Sequence, residues 1–132
     1  MPAAPAPQFE RIAVDPHLRI VIGHMGEGIP FCLERIDNRF VWEHEIAGVP
    51  ARLKRLPSGY VRDNITITTS GMNFTEPLVL AVKLLGADNV LFAADYPFEV
   101  ARDAVSALDS IALSPADKEK IYHRNAKRVF AL

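Results

Sequence analysis

His24 and Glu27 have residue types and a spacing that suit acid–base chemistry. A neutral imidazole carries one donor and one acceptor nitrogen, and a nearby carboxylate fixes its tautomer and raises its basicity. The sequence predicts that this pair can hold or transfer a proton. It also permits a simpler interpretation, in which His24 ends a strand and its ring is satisfied by a backbone carbonyl.

Two further residues, Asp95 and Arg35, have side chains that could serve the same chemistry. Asp95 follows an apolar segment, and a carboxylate there could bind a divalent metal or instead cap the helix that follows. Arg35 lies eleven residues after His24 in a predicted helix. Its guanidinium could hold a substrate carboxylate through two hydrogen bonds, or it could be a solvated residue of the helix surface.

The elements that would position these residues alternate between strands and helices. Short apolar segments predict buried strands at residues 18–23 and 89–94, and the alternation of Ile with Thr predicts another strand at 64–69. Helices are predicted at residues 30–47, from Thr75 to Gly86, at 99–112, and from a capping Ser114 toward the C-terminus, whereas 49–63 is predicted to be a long loop. This order is typical of an α/β fold with parallel strands and crossover helices.

In such folds the chemistry lies beyond the carboxyl ends of the strands. His24, Ser70 and Asp95 each follow one of the predicted strands, so the sequence places an imidazole and a carboxylate at the same rim. Three parallel strands leave both sheet edges without partners. The sequence therefore indicates a segment of a larger barrel or sheet, or one that another subunit completes.

Composition excludes several classes of protein. The chain has 132 residues and a net charge of −1, which argues against the basic face of a nucleic-acid binder. The single Cys32 cannot form an internal disulfide, no apolar segment is long enough to span a membrane, and the N-terminus lacks a signal peptide. A cytoplasmic domain is expected, with a disordered Pro/Ala-rich leader at residues 1–8 and a short helical turn at 9–14.

Four segments in order give the sequence a family resemblance: IVIGHMGEGIPFCLERID, YVRDNITITTSGMN, GADNVLFAADYPFE and NAKRVFAL. Together they resemble the C-terminal part of the amidohydrolase-related family, which consists of metal-dependent (β/α)8 barrels. The branch with the greatest similarity contains the γ-resorcylate, dihydroxybenzoate and aminocarboxymuconate-semialdehyde decarboxylases. The resemblance implies that residues 9–132 form a partial barrel, with its sixth, seventh and eighth strands.

The resemblance also implies roles for individual residues. His24 matches an acid–base or substrate-orienting histidine, Glu27 the acid that pairs with it, and Asp95 a metal ligand that can also handle a proton. Arg35 matches an arginine of the substrate pocket. The implied activity is non-oxidative decarboxylation of a hydroxylated aromatic or related carboxylic acid with a divalent metal, Zn or Mn, and the alternative is metal-dependent hydrolysis.

The family's other metal ligands come from the first and fifth strands of the barrel. Because the predicted strands here are the sixth to the eighth, we expect activity only when the N-terminal half of the barrel is supplied. The competing hypothesis is a truncated, catalytically inactive scaffold, whose apolar strand edges would drive formation of a homo-oligomer.

Overall fold

The computed structural model of the chain describes residues 15–132. The predicted leader at 1–8 and the predicted helical turn at 9–14 lie outside the described residues. Three strands form one parallel sheet in the order β1-β2-β3: β1 (Ile20–Ile22), β2 (Ile65–Thr68) and β3 (Val90–Leu91). The predicted α/β fold with parallel strands and crossover helices is confirmed.

The strand register brings the carboxyl ends of the three strands to one rim. Ile22 at the end of β1 pairs with Ile67, and Thr68 at the end of β2 pairs with Leu91. Residues that follow each strand by a few positions are therefore neighbours in space. Each strand is shorter than predicted, since pairing is limited to Ile20–Ile22, Ile65–Thr68 and Val90–Leu91.

The helices lie in the intervals that the sequence predicted for them, with one addition. They are α1 (Ile29–Val41), α2 (Pro57–Asn64), α3 (Thr75–Leu85), α4 (Ala101–Ser110), α5 (Pro115–Glu119) and α6 (Asn125–Phe130). A π-helical turn, Trp42–Ile46, extends α1, and a second, Lys120–Arg124, joins α5 to α6. Short 3-10 turns occupy His24–Gly26 and Ala87–Asn89.

Helix α2 corrects the prediction of a long loop over residues 49–63. Pro57 suggested a loop, but it occupies the first helical position, where a missing N–H costs nothing. Tyr60 and Val61 are buried in the core, and the Ser58 N–H donates to Asp37 Oδ1 of α1 at 2.9 Å. Tertiary packing therefore stabilises a helix whose own sequence pattern is weak.

Several helix boundaries follow the predicted signals. Gly86 ends α3 with a positive φ of 84°, and the Ser114 hydroxyl caps α5 by accepting from the Asp117 N–H at 3.0 Å. Thr75 is the first helical residue of α3 rather than its cap, which is Phe74.

The core lies between the sheet and the helices around β2. Its largest fully buried apolar side chains are Val61, Ile65, Ile67, Leu78, Val90, Leu108 and Ile121. Asn125 is buried among them, and its amide donates to the carbonyls of Ala87 at 2.7 Å and Val90 at 2.8 Å, which fixes the start of β3. None of the helices within residues 15–132 is long and apolar enough to cross a membrane.

Candidate active site

A left-handed turn follows β1 and carries His24 and Glu27. All five residues from His24 to Gly28 have positive φ values, which range from 46° to 82°. For residues with a Cβ this conformation costs about 1–2 kcal/mol each. Two contacts hold the turn in place: Met25 is buried, and Gly26 lies so near Ile67 that an added Cβ would stand 2.8 Å from its Cγ2. Backbone strain of this kind concentrates at functional sites.

The turn brings the His24 ring between two carboxylates. His24 Nδ1 lies 2.6 Å from Glu27 Oε1, and His24 Nε2 lies 3.6 Å from Asp95 Oδ2. The ring of His24 thus contacts two carboxylates and not a backbone carbonyl, while the acid–base role of the His24–Glu27 pair stays a prediction. The His24 side chain is 49% exposed and that of Asp95 30% exposed, so both are open to a ligand.

The two carboxylates raise the pKa of His24 above its ordinary value of 6.5. The hydrogen bond to Glu27 is the largest cause, and the charges of Glu27 and Asp95 add to it, while partial desolvation of the ring opposes them. The protonated imidazole is thus favoured at a higher pH than in a free histidine. An imidazole in this setting has the chemistry to hold a proton and to pass it to a neighbouring acceptor.

The segment after β2 lies beneath this pair. The His24 backbone N–H donates to Ser70 Oγ at 3.1 Å, and Ser70 Oγ is also 2.7 Å from Thr68 Oγ1. Gly71 has a φ of 66°, and an added Cβ would lie 3.1 Å from both His24 Cδ2 and Asp95 Oδ2. The close approach of the imidazole to Asp95 therefore depends on glycine at this position.

Asp95 follows β3 and does not cap the next helix. Its carbonyl accepts from the N–H groups of Phe98 and Glu99, whereas α4 begins at Ala101 with Val100 as its N-cap. The predicted alternative of a helix cap is therefore wrong. Asp95 itself has a φ of 65°, and a cis peptide bond joins the next two residues, Tyr96 and Pro97. Its side chain is directed to His24 instead of to a helix.

Arg35 lies apart from these residues. It is exposed on α1 and lines a cavity of about 620 Å³ together with Arg39, Phe40 and Leu53. His24 lines a different cavity of about 350 Å³, whose walls include Phe31, Met72 and Leu80. Within one chain the structure does not bring Arg35 to His24 and Asp95, and its predicted contact with a substrate carboxylate stays a prediction.

Ser70, Gly71 and Thr69 were missed as site residues by sequence reasoning. The sequence does place Ser70 and Gly71 just after the predicted strand at the chemical rim, and Thr69 at the last position of that strand, but a serine and a glycine there are also the ordinary signal for the end of a strand. The Asn73 Oδ1 atom is buried and has no hydrogen-bond partner among residues 15–132. Nothing in the sequence pattern distinguished these residues from a turn.

The described residues do not form a complete metal site. Residues 15–132 contain no cluster of three or more His, Cys, Asp or Glu side chains that could hold a metal ion. A catalytic zinc site needs three protein ligands, whereas the two carboxylates at the rim, Glu27 and Asp95, lie on opposite sides of the His24 ring, and Glu27 already engages His24 Nδ1. Residues 15–132 therefore do not complete such a site by themselves, and the predicted role of Asp95 as a metal ligand stays a prediction.

Comparison with known proteins agrees with the fold. The family model of the amidohydrolases matches residues 2–132. A γ-resorcylate decarboxylase from Rhodococcus jostii is 43% identical over 117 residues, which cover 89% of this chain and 35% of that protein. This chain belongs to the amidohydrolase family, and it spans about a third of the length of the relatives it matches.

Solved structures give the same result. The 5-carboxyvanillate decarboxylase from Sphingomonas paucimobilis superposes with a TM-score of 0.85 at 36% identity, over 93% of this chain and 36% of that one. A dihydroxybenzoic acid decarboxylase from a Polaromonas species, solved with manganese and the inhibitor 2-nitroresorcinol, superposes with a TM-score of 0.77 at 36% identity, over 92% and 36% of the two chains. These similarities support the prediction of a C-terminal barrel segment.

Proposed function

We propose that this chain is the C-terminal part of a metal-dependent, non-oxidative decarboxylase that acts on hydroxylated aromatic carboxylic acids. The observation that carries the proposal is the His24 imidazole, which lies between Glu27 and Asp95 at the carboxyl rim of the sheet. The similarity to decarboxylases of 2,6-dihydroxybenzoate and 5-carboxyvanillate supports the same substrate class.

The reaction needs a proton at the ring carbon that carries the carboxylate. We assign His24 and Asp95 as the catalytic residues that hold and deliver this proton, and Glu27 as the group that favours protonated His24. When the ring carbon accepts the proton, its bond to the carboxylate breaks, carbon dioxide leaves, and the electrons of that bond restore the aromatic ring. The proton removed from the site is replaced from solvent through the exposed imidazole.

A divalent metal, Mn or Zn, would hold the substrate oxygens, and Asp95 would be one of its ligands. The remaining ligands would come from outside residues 15–132. We propose that Arg35 binds the substrate carboxylate. Because Arg35 and His24 line different cavities of the chain, this contact would require a second chain. The single Cys32 supports our proposal of a cytoplasmic location.

Complementation tests the proposed function. The 132-residue chain would be produced alone, and together with the N-terminal two thirds of the Rhodococcus jostii relative, and each sample would be loaded with Mn²⁺. Product and carbon dioxide formed from 2,6-dihydroxybenzoate would then be measured by chromatography. We expect turnover only in the complemented sample, and a folded, metal-loaded assembly that forms no product from this acid or from 5-carboxyvanillate would refute the proposal.

Two variants test the assigned roles within that assembly. His24→Ala removes the proton carrier and is expected to lower kcat by roughly 10²–10⁴-fold with little change in bound metal. Asp95→Asn is expected to lower both metal content and rate. Ser106→Ala, at an exposed position on α4, is the matched control and should leave both unchanged. Full activity of Asp95→Asn would contradict the ligand assignment.

The scaffold hypothesis makes a different prediction for the chain alone. If its strand edges drive self-association, light scattering should give the mass of a homo-oligomer that contains no metal and is inactive even after complementation. A chain that assembles with the N-terminal part and gains turnover would exclude that hypothesis.

A further inference from the structure

We infer that Thr69, Ser70 and Gly71, the segment after β2, are the positioning residues that set the distance between His24 and Asp95. Neither Thr69 nor Ser70 lies at the exposed face of the site: both are buried. Their hydroxyl groups form separate hydrogen bonds to the backbone: that of Ser70 to His24 itself, and that of Thr69 to the segment just before Asp95.

Ser70 fixes the element that carries His24. Its hydroxyl accepts the His24 N–H at 3.1 Å, and the Thr68 hydroxyl, 2.7 Å away, holds Ser70 Oγ in that position. The His24 backbone has a φ of 46°, a conformation that needs outside support in a residue with a Cβ. The hydrogen bond from this strained residue to Ser70 supplies such support across the sheet from β1 to β2.

Thr69 fixes the element that carries Asp95. Its hydroxyl donates to the Ala93 carbonyl at 2.9 Å and accepts from the Ala93 N–H at 3.0 Å. Its own N–H donates to the Leu91 carbonyl at 3.0 Å. One side chain thus completes both backbone hydrogen bonds of Ala93, two residues before Asp95, where β3 has already left the regular ladder.

Gly71 lies between the two side chains that the preceding residues position. A Cβ at residue 71 would lie 3.1 Å from both His24 Cδ2 and Asp95 Oδ2. The three consecutive residues therefore have complementary roles: Ser70 holds His24, Thr69 holds the chain before Asp95, and Gly71 leaves room for the two to meet. Among residues 15–132 no further strand lies beside β1 or β3, and this segment keeps the pair together from the middle of the three-stranded sheet.

This inference rests on the proposed function in one respect: it is that function which makes His24 and Asp95 catalytic residues. It can be tested without turnover, by NMR on the isotopically labelled 132-residue chain in the presence of a chelator. Three signals report the contacts: slow hydrogen exchange at the His24 amide, a nuclear Overhauser effect between His24 Hδ2 and Gly71 Hα, and one between the Asp95 Hβ and Gly71 Hα protons.

Two variants should each remove a different one of these contacts. Ser70→Ala is expected to lose the His24–Gly71 signal and to speed exchange of the His24 amide by at least tenfold, while the Asp95–Gly71 signal persists. Thr69→Val is expected to lose the Asp95–Gly71 signal and to keep the other two. Ser70→Thr, which keeps a hydroxyl, should restore the His24 signals, and Ser106→Ala should change none of them.

Loss of all three signals in both variants, with far-UV circular dichroism unchanged, would mean a general structural role and would overturn the inference. Persistence of all three in both variants would also overturn it. If a variant fails to fold, the unmodified chain still decides: a rapidly exchanging His24 amide and no contact between His24 and Gly71 would refute the proposal. Failure of the decarboxylase assay would leave each of these results unchanged.

Discussion

Gly26 offers the sharpest test of how the site turn is held against the core. In Gly26→Ala the new Cβ would lie 2.8 Å from Cγ2 of Ile67, a fully buried residue of β2, and 3.2 Å from Pro30 Cδ. The residue would also adopt a φ of 78°. The left-handed conformation costs about 1–2 kcal/mol for a residue with a Cβ, and overpacking of a core side chain typically costs about 1–3 kcal/mol.

Gly28→Ala is the matched control in the same turn. Gly28 has a φ of 82°, but an added Cβ would meet nothing within 4 Å. Both variants carry the same backbone cost, and both gain the same small stabilisation from a less flexible unfolded chain. The free energy of unfolding should therefore fall by about 1–3 kcal/mol more in Gly26→Ala than in Gly28→Ala, which is the overpacking contribution alone.

Urea unfolding followed by far-UV circular dichroism measures this difference, provided that the two variants have the same m-value. Our reasoning would be refuted if the two variants differed by less than about 0.5 kcal/mol, the usual scatter for independent substitutions. That result would mean that the turn lifts away from Ile67 at little cost. The left-handed turn would then be held by its own hydrogen bonds and not by contact with the core.

Three further predictions concern titration and buried polar contacts. Glu27→Gln should lower the pKa of His24 in an NMR titration, since Glu27 is the largest cause of its elevation. In the unmodified chain the raised pKa of His24 stabilises the folded state. This contribution to the free energy of unfolding is complete below pH 6.5 and is lost as the pH rises through the folded-state pKa. Asn125→Ala removes the amide donor from the Ala87 and Val90 carbonyls, of which Ala87 keeps the Val90 N–H, and should lower the free energy of unfolding by about 1–3 kcal/mol in urea titrations. Asp109→Asn should lower the pKa of Tyr122 from about 12, yet phenolate absorbance should still place it above 10.0, because burial is the larger cause.

The sequence was sufficient to predict the fold class because the strands have a clear pattern. The segments around Ile22 and Val90 are apolar, that around Ile67 alternates Ile with Thr, and each is followed by small or polar residues, so their order and the rim beyond them could be predicted. The expected burial of the first strand is wrong, because β1 is only partly buried and Val21 is exposed. Helix α2 could not, because Pro57 and the nearby charges favour a loop locally. Burial of Tyr60 and Val61 against the rest of the chain stabilises the helix, and such contacts cannot be read from a local sequence pattern.

The candidate site was predictable in its residue types but not in its support. His24, Glu27 and Asp95 could be identified because their functional groups follow apolar strands. The roles of Ser70 and Gly71 depend on distances across the sheet, a hydrogen bond to His24 and a space beside Asp95. The separation of Arg35 from the pair is likewise a matter of tertiary placement, since spacing along a helix does not fix which cavity a long side chain enters.

The sheet order has a consequence for how the chain folds. Neighbours in the sheet are neighbours in sequence, so no later strand has to insert between two earlier ones. The β1–β2 pair can form as soon as β2 has left the ribosome, and β3 then adds at the free edge of β2. During synthesis the turn that carries His24 can therefore dock on Ser70 before β3 and Asp95 have left the ribosome, so that the last strand completes a half-formed site.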